Sequence, residues 1–271
     1  MKLTMSEKKL KTYLHFWISN KKIDDWAKSK NIFFILAIGR SGTRFFSGLL
    51  NQIKEAYVVH EPVPDDFYAH QRAFHSEKDA YNYIMRFRKR EIYLRIRDMK
   101  IAAYGEVNSA LRRHCRALKK AFPNAKFLHL IRDGRDVVRS MMSRKTMTEG
   151  DPNTRLIFPP EGDPWRGLWS RMSRFEKICW YWQVENNYLR HNISRTVQFE
   201  KLISDYRYFK ENLLTPLDLR LSEDVWKAEV NRPVNITRSF VIPHWKAWDN
   251  EMVEKFNNIC GEEMKENGYD I

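Results

Sequence analysis

Two short segments of this sequence combine residue types that bind phosphate. The first, residues 39–43 (GRSGT), places glycine backbone, a guanidinium and two hydroxyls within five residues. The second, residues 132–140 (RDGRDVVRS), begins with Arg132 and ends with Ser140. A guanidinium offers paired donors and a hydroxyl offers a third, so Arg132 and Ser140 could converge on one phosphate. The alternative is a salt-bridge cluster at the start of a helix.

The first segment differs from the phosphate loop of nucleoside triphosphatases. That loop needs Gly-Lys followed by Ser or Thr, whereas Gly42 is followed directly by Thr43, and position 37 is Ala. A kinase that uses ATP is therefore disfavoured. Taken alone, the glycine loop fits a structural turn as well as a phosphate site.

Buried strands are predicted directly before both segments. Residues 32–38 (IFFILAI) and 126–131 (KFLHLI) are short apolar runs, typical of strands that are covered on both faces. Apolar residues return at helical spacing after the first loop, namely Phe45, Phe46, Leu49, Leu50 and Ile53. The loop thus joins a strand to the N-terminus of a helix, where free amides and the helix dipole favour phosphate.

Strands and helices alternate along the rest of the chain. Further strands are predicted at 56–59, 101–107 and 196–199, and helices at 6–30, 109–122 and 171–191. Such alternation implies crossover connections, so we expect an α/β, three-layer, P-loop-like fold with a central parallel sheet flanked by helices. Residues 1–271 are expected to form one domain, in which the Pro- and Gly-rich stretch 145–167 is a candidate lid over an acceptor.

Composition narrows the class of protein. A hydrophobic fraction of 43% with 14% aromatics excludes a disordered or fibrous chain, and a net charge of +14 favours anionic partners. Three widely spaced cysteines favour a reducing compartment, and no long apolar stretch predicts a membrane span, so we expect a soluble, cytoplasmic protein. No metal site is predicted, and His70 and His75 are interpreted as surface histidines.

The two phosphate segments, taken together and in this order, resemble those of the PAPS-dependent sulfotransferase superfamily. PAPS is 3′-phosphoadenosine-5′-phosphosulfate, and the family's first motif grips its 5′-phosphosulfate and the second its 3′-phosphate. Residues 197–202 (VQFEKL) are similar to a third family stretch. The resemblance implies sulfuryl transfer from PAPS to an acceptor hydroxyl, with PAPS and the acceptor as partners and no nucleic acid.

The resemblance assigns roles residue by residue. The implied 5′ loop comprises Gly39, Arg40, Ser41, Gly42, Thr43 and Arg44. Arg132 and Ser140 match the 3′-phosphate pair, and Arg238 matches a third ligand in a degenerate C-terminal segment. Arg40 is expected beside the leaving phosphate, where a guanidinium stabilises developing charge. Carbohydrate sulfotransferases commonly carry arginine at this position, which favours a glycan acceptor.

Sulfuryl transfer needs a base that takes the proton of the acceptor hydroxyl. Three residues are candidates for this role. Glu61, followed by Pro62, is similar to the Glu-Pro of carbohydrate sulfotransferases and is the first choice. Glu106 occupies about the place of the catalytic histidine of cytosolic sulfotransferases and could instead bind substrate. His60 titrates near neutrality, but adjacent strand residues point to opposite faces, so we expect only one of His60 and Glu61 in the site. Either glutamate could alternatively form an ion pair with an arginine.

The rival class is a basic module that binds nucleic acid or another polyanion. It is prompted by the net charge and by a run of basic residues between positions 86 and 97. An ATP-dependent kinase is the remaining alternative.

Overall fold

A parallel sheet forms the centre of the computed structural model, which describes residues 19–232 and 239–271. Its strands are β1 (Asn31–Leu36), β2 (Ala56–His60), β3 (Ala103–Asn108), β4 (Lys126–Ile131) and β5 (Thr196–Gln198). All neighbouring strands are parallel, in the order β2-β3-β1-β4-β5. The sequence prediction of a parallel α/β sheet is confirmed, and β1 lies at its centre.

Helices connect the strands and cover the sheet. Those before β4 are α1 (Asn20–Lys28), α2 (Thr43–Leu50), α3 (Asp65–His75), α4 (Glu77–Tyr83), α5 (Lys89–Ile96) and α6 (Cys115–Ala121). Those after β4 are α7 (Gly134–Met142), α8 (Asn153–Leu156), α9 (Arg174–Asn192), α10 (Phe199–Ser204), α11 (Tyr206–Phe209), α12 (Glu223–Val230) and α13 (Asn250–Glu266). Short π-helical turns span Ile84–Arg88 and Lys210–Leu214, and 3₁₀ turns span Arg112–His114 and Trp245–Ala247.

The alternation of side chains along β1 divides the core into layers. Phe33 and Ile35 pack with apolar residues of α2 and the segment after β5, whereas Phe34 and Leu36 pack with α6 and α9. Because successive strand residues point to opposite faces, a run that is apolar throughout must be covered on both sides. Helices therefore lie on both faces of the sheet, as the three-layer prediction requires.

The helix expected over residues 109–122 begins later than predicted. The Asn108 side-chain oxygen accepts hydrogen bonds from the amides of Ala110 and Leu111, at 2.8 and 3.1 Å. Such a turn offers the backbone an alternative to the helix, so the 3₁₀ turn starts at Arg112 and α6 at Cys115. Ser109 consequently lies in a loop at the carboxyl end of β3.

The predicted lid segment and the N-terminal segment are partly regular. Residues 145–167 contain the short helix α8 and are otherwise turns. The N-terminal prediction of a helix over 6–30 is met by α1 within the described residues. No helix in the described part of the chain is long and apolar enough to cross a bilayer.

Candidate active site

The first phosphate segment lies at the carboxyl edge of the sheet, between β1 and α2. Gly42 precedes the helix with a φ of 87°, and no side chain caps the first turn. A side chain at this position would also be excluded by space, because its Cβ would lie 2.3 Å from the Phe199 ring. The first amides of a helix have no partners within the helix, so this loop offers N–H donors and the positive end of a helix dipole.

The second segment meets the first through Arg40. Arg40 Nε donates to Ser140 Oγ over 2.9 Å, and Arg132 Nη1 donates to the Arg40 carbonyl oxygen over 3.3 Å. Arg132 also lies 3.4 Å from Asp136, so one contact of the salt-bridge alternative is present. The structure thus brings Arg40, Arg132 and Ser140 together, as the sequence predicted for two loops serving one ligand.

Several cations lie close together at this point. Burial lowers the pKa of Arg40, and the neighbouring charges of Arg144 and Arg132 lower it further. A guanidinium keeps its charge at neutral pH even so. An arrangement of like charges at the end of a helix dipole is unfavourable without an anion, so it points to an anionic ligand.

A cavity of about 460 Å³ opens next to the loop. Its lining comprises Gly39, Arg40, Gly42, Thr43, Arg44, Phe45, His60, Glu61, Ser109, Arg132, Phe199, Ile203, Val230 and Arg232. Four of these residues are arginines and one is a glutamate, so the lining carries a net positive charge. The remainder includes two phenylalanines, which provide apolar surface for a planar ring.

Two buried polar atoms beside the loop fit a bound anion. Among the described residues, Ser41 Oγ and Arg132 Nε have no hydrogen-bond partner. Buried donors are normally satisfied by protein or solvent, so donors left over beside a cationic cavity point to a ligand that accepts. The phosphate oxygens of a nucleotide are acceptors of this kind.

A second cavity, of about 270 Å³, adjoins the first. Its lining comprises Gly39, Arg40, Glu61, Val63, Pro64, Phe67, His70, Ser109, Ala110, Arg112, Met141, Thr146, Asn153 and Tyr181. Four residues line both cavities: Gly39, Arg40, Glu61 and Ser109. The expected lid segment contributes Thr146 and Asn153 to the second cavity.

Glu61 and His60 both reach the first cavity, so the expectation that only one of them would do so is wrong. The strand rule fails because β2 ends at His60, and Glu61 turns the chain with a φ of 43°. Glu61 Oε1 accepts hydrogen bonds from the amide of Ser109, at 3.2 Å, and from its hydroxyl. His60 Nε2 lies 2.9 Å from Thr43 Oγ1.

The environment of His60 favours its neutral form. Burial lowers the pKa of His60, Glu61 opposes this shift, and Arg44 adds to it. An imidazole that is neutral at pH 7 can share one proton with the Thr43 hydroxyl. His60 therefore orients a residue of the phosphate loop rather than adding another charge to it.

Glu106 lies outside both cavities. It is fully buried and receives two hydrogen bonds of 2.7 Å from Arg88 Nη2. Tyr104 and Asn108 also donate to it, at 2.7 and 3.1 Å. This is the ion pair that the sequence left open as the alternative role for a glutamate, and a carboxylate so enclosed is not available to an acceptor.

Some residues of the site were not predicted from the sequence, and one prediction lies outside the described residues. Ser109 and Arg232 line the first cavity without belonging to either motif. His70, interpreted as a surface residue, is 2% exposed and lines the second cavity, whereas His75 is exposed as expected. The signal for Ser109 was its place directly after β3, at the edge where the loops of a parallel sheet meet. Arg238 is not among the described residues.

Comparisons with known proteins point to one family. A model described as "Sulfotransferase family" matches residues 108–223, and no curated protein matches the chain. Sulfotransferase STF9 from Mycobacterium avium is 13% identical with a TM-score of 0.56, covering 98% of this chain and 83% of its own. The sulfotransferase domain from the curacin biosynthetic pathway is 12% identical with a TM-score of 0.52, covering 89% and 99%. A sulfotransferase from Alicyclobacillus acidocaldarius is 16% identical with a TM-score of 0.50, covering 89% and 97%.

These findings agree with the site. At such low identities the solved structures show the shared fold, and the family model covers the second phosphate segment from Arg132 to Ser140. The motifs, the fold and a family match over residues 108–223 thus make the chain similar to sulfotransferases.

Proposed function

We propose that this chain transfers the sulfuryl group of PAPS to a hydroxyl of a carbohydrate, with Glu61 as the base. The observation that carries the proposal is the shared wall of the two cavities. Glu61 and Arg40 both lie there, between a cationic cavity suited to a nucleotide and a less charged cavity suited to an acceptor. A transferred group must cross this wall, so the base and the cation are in the place where the chemistry needs them.

The residues of the larger cavity would hold PAPS by its two phosphate ends. The amides and hydroxyls of residues 39–43, with Arg44, fit the 5′-phosphosulfate. Arg132 and Ser140 fit the 3′-phosphate, with Arg238 as the third ligand implied by the resemblance. PAPS supplies the activated sulfuryl group, and the chain supplies positions, charges and a base.

The residues of the shared wall account for the proton that the acceptor loses and for the negative charge that develops on the departing oxygen. The acceptor hydroxyl gives its proton to Glu61 as its oxygen bonds to sulfur, and the bond from sulfur to the phosphate oxygen breaks. Arg40 lies where it can donate to the departing oxygen, a contribution typically worth about a hundredfold or more in rate. The amide and hydroxyl of Ser109 both donate to Oε1 of Glu61, so Oε2 is the oxygen that accepts the proton of the acceptor hydroxyl.

Two further features belong to this proposal. Arg40 and Glu61-Pro62 match the carbohydrate branch of the family, and this supports a glycan acceptor. The three cysteines are free and buried, as suits the reducing cytoplasm that we propose for the protein.

The rival polyanion-binding function has less support. Arg88, Arg95 and Arg97, in the basic run that prompted it, all form ion pairs with carboxylates. A surface for nucleic acid needs cations that can neutralise phosphates. The cations around the larger cavity remain the better anion site.

The first prediction concerns the base and the nucleotide. We expect Glu61→Gln to lower the transfer of labelled sulfate from PAPS at least about a hundredfold, because the base is lost. The affinity for 3′,5′-adenosine bisphosphate, measured by calorimetry, should stay within about twofold of wild type. Arg132→Ala should weaken that affinity at least about tenfold, as expected for a charged hydrogen bond.

The matched control is Arg207→Ala, which removes an exposed arginine that lines neither cavity. It should change neither transfer nor nucleotide affinity. Full activity of Glu61→Gln would remove Glu61 from the mechanism. If the wild-type protein does not bind 3′,5′-adenosine bisphosphate, the proposed function is contradicted.

A further inference from the structure

The part of the second cavity lined by Tyr181, Arg112 and His70 is built from a buried polar network. Arg112 donates to His70 Nε2 over 2.7 Å and to the Tyr181 hydroxyl oxygen, and its Nε lies 3.0 Å from Glu185 Oε2. Arg113 also pairs with Glu185, at 2.8 Å. Burial raises the pKa of Glu185 but the two guanidiniums outweigh it and hold the pKa well below its usual range. Two guanidiniums thus share the single carboxylate of Glu185, and the Glu61 carboxylate carries a further negative charge at the wall of the same cavity.

Tyr181 offers a hydrogen-bond donor at this point. Its oxygen accepts from Arg112, and no described residue accepts the proton of its hydroxyl. Burial raises the pKa of Tyr181 to about 12, so the phenol stays protonated at neutral pH. A protonated phenol can donate to one acceptor oxygen.

The rest of the lining is mostly apolar. Val63, Pro64 and Met141 contribute to it, together with Phe67, which is 40% exposed. An exposed aromatic ring beside a cavity provides a flat apolar surface for a ligand's C–H groups. The cavity volume of about 270 Å³ suits a ligand of roughly one ring rather than a chain of rings.

We propose that the second cavity binds a single uncharged sugar ring, with Tyr181 donating to one of its oxygens and Phe67 packing against its apolar face. The inference rests on the proposed function and specifies its acceptor. An acidic sugar is disfavoured because its carboxylate would lie beside the Glu61 carboxylate, while Arg112 is paired with Glu185 and Arg40 is assigned to the nucleotide. A purely apolar alcohol is disfavoured because it would leave the Tyr181 donor unsatisfied.

Acceptor comparison with labelled PAPS tests the class of substrate. The acceptors are para-nitrophenyl glycosides of a neutral hexose, of the matching uronic acid and of each single deoxy analogue of the hexose. We expect kcat/KM for the neutral hexoside to exceed that for the uronide at least about tenfold, the size of one lost hydrogen bond to a charged group. Equal or better use of the uronide, or of long acidic glycans, would overturn the inference.

Tyr181→Phe tests the contact itself, because it removes one hydroxyl and keeps the ring. We expect kcat/KM for the neutral hexoside to fall about tenfold, with no further fall for the one deoxy analogue that lacks the contacted oxygen. A merely structural role would lower kcat/KM equally for every analogue and would overturn the assignment. The matched control is Tyr81→Phe at an exposed position of α4, which lines neither cavity and should behave as wild type.

Binding without turnover separates this inference from the proposed function. Ligand-observed NMR with the 3′,5′-adenosine bisphosphate complex should detect the neutral hexoside and show weaker binding to Tyr181→Phe. If the hexoside binds but no sulfate is transferred to any acceptor, the proposed function is contradicted and the sugar site is supported. Transfer to other carbohydrates with no binding of the hexoside would contradict the single-ring sugar site alone.

Discussion

Ser109 fixes the orientation of Glu61 at the wall between the cavities. Its amide and hydroxyl both donate to Oε1, so one carboxylate oxygen is occupied and the other is directed elsewhere. Ser109 itself is held by the Asn108 turn and by Arg112, which donates to its carbonyl oxygen. In the proposed mechanism the serine therefore acts through Glu61 as a positioning residue, and its own position depends on the network at the second cavity.

Removal of the Ser109 hydroxyl should therefore impair turnover more than binding. We expect Ser109→Ala to lower kcat about tenfold while leaving KM for PAPS within about twofold, because roughly one hydrogen bond to a charged group is lost. Ser109→Thr keeps the hydroxyl and should restore at least half of the wild-type kcat. A Thr variant as slow as the Ala variant, or a change confined to KM, would contradict the positioning role.

At the scale of single residues, the sequence predicted the meeting of Arg40, Arg132 and Ser140 better than the surroundings of the two glutamates. Arg40, Arg132 and Ser140 could be placed because contiguous motifs contain them. The roles of Glu61 and Glu106 depended on features that no local pattern contains. One is the left-handed turn at Glu61, and the other is the pairing of Glu106 with Arg88, 18 residues earlier in the chain. Distant partners decide whether a carboxylate reacts or remains structural.

At the scale of elements, the contact between β1 and β3 depends on the absence of a side chain at Gly105. A Cβ at this position would lie 2.0 Å from the Phe33 ring, which is fully buried on the neighbouring strand. Phe33 cannot move without disturbing the layer between β1 and α2. Gly105 therefore sets the packing of the strand that ends at Asn108, directly before Ser109.

This contact makes Gly105→Ala a sensitive probe of the sheet. We expect it to lower the free energy of unfolding by about 1–3 kcal/mol, the usual cost of overpacking a core. The control is Gly48→Ala in α2, where nothing lies within 4 Å of the added Cβ and the position is exposed. It should raise stability by up to about 1 kcal/mol, since alanine is the better helix former. Urea unfolding of both variants measures the difference, and a neutral Gly105→Ala would contradict the packing argument.

The elements themselves were predictable to the extent that their periodicity is strong. Continuous apolar runs identified β1 and β4, and Pro123 marked the end of the helix before β4. The start of that helix was missed because the Asn108 side chain competes for the amides that would begin it. The two cavities could not be read from the sequence, since each combines residues from many elements.

At the scale of the whole molecule, buried histidines link folding to pH. Burial lowers the pKa of His70 to about 4, of His129 to about 4 and of His114 to about 3. In the unfolded chain these groups titrate near 6.5, so between about 4 and 6.5 the unfolded chain binds more protons than the folded one. Their contribution to stability is complete above pH 6.5 and is lost as the pH falls. Asp66 acts in the opposite sense, because burial raises its pKa to about 6.

We therefore expect stability to decline steeply below pH 6.5. At about pH 5 these three histidines and Asp66 together take up about two protons net on unfolding, and each proton is worth about 1.4 kcal/mol per pH unit. Burial also lowers the pKa of His60 and raises the pKa of Glu200, and these two shifts act in opposite senses. Urea unfolding at steps from about pH 4.5 to 7 measures how the free energy of unfolding changes with pH. His129→Gln, which can keep a hydrogen bond to Asn186, should reduce the slope of unfolding free energy against pH by about one proton. An unchanged slope in His129→Gln would mean that His129 binds its proton equally in both states, and the acid sensitivity would then belong to His114 and to His70, which lines the second cavity.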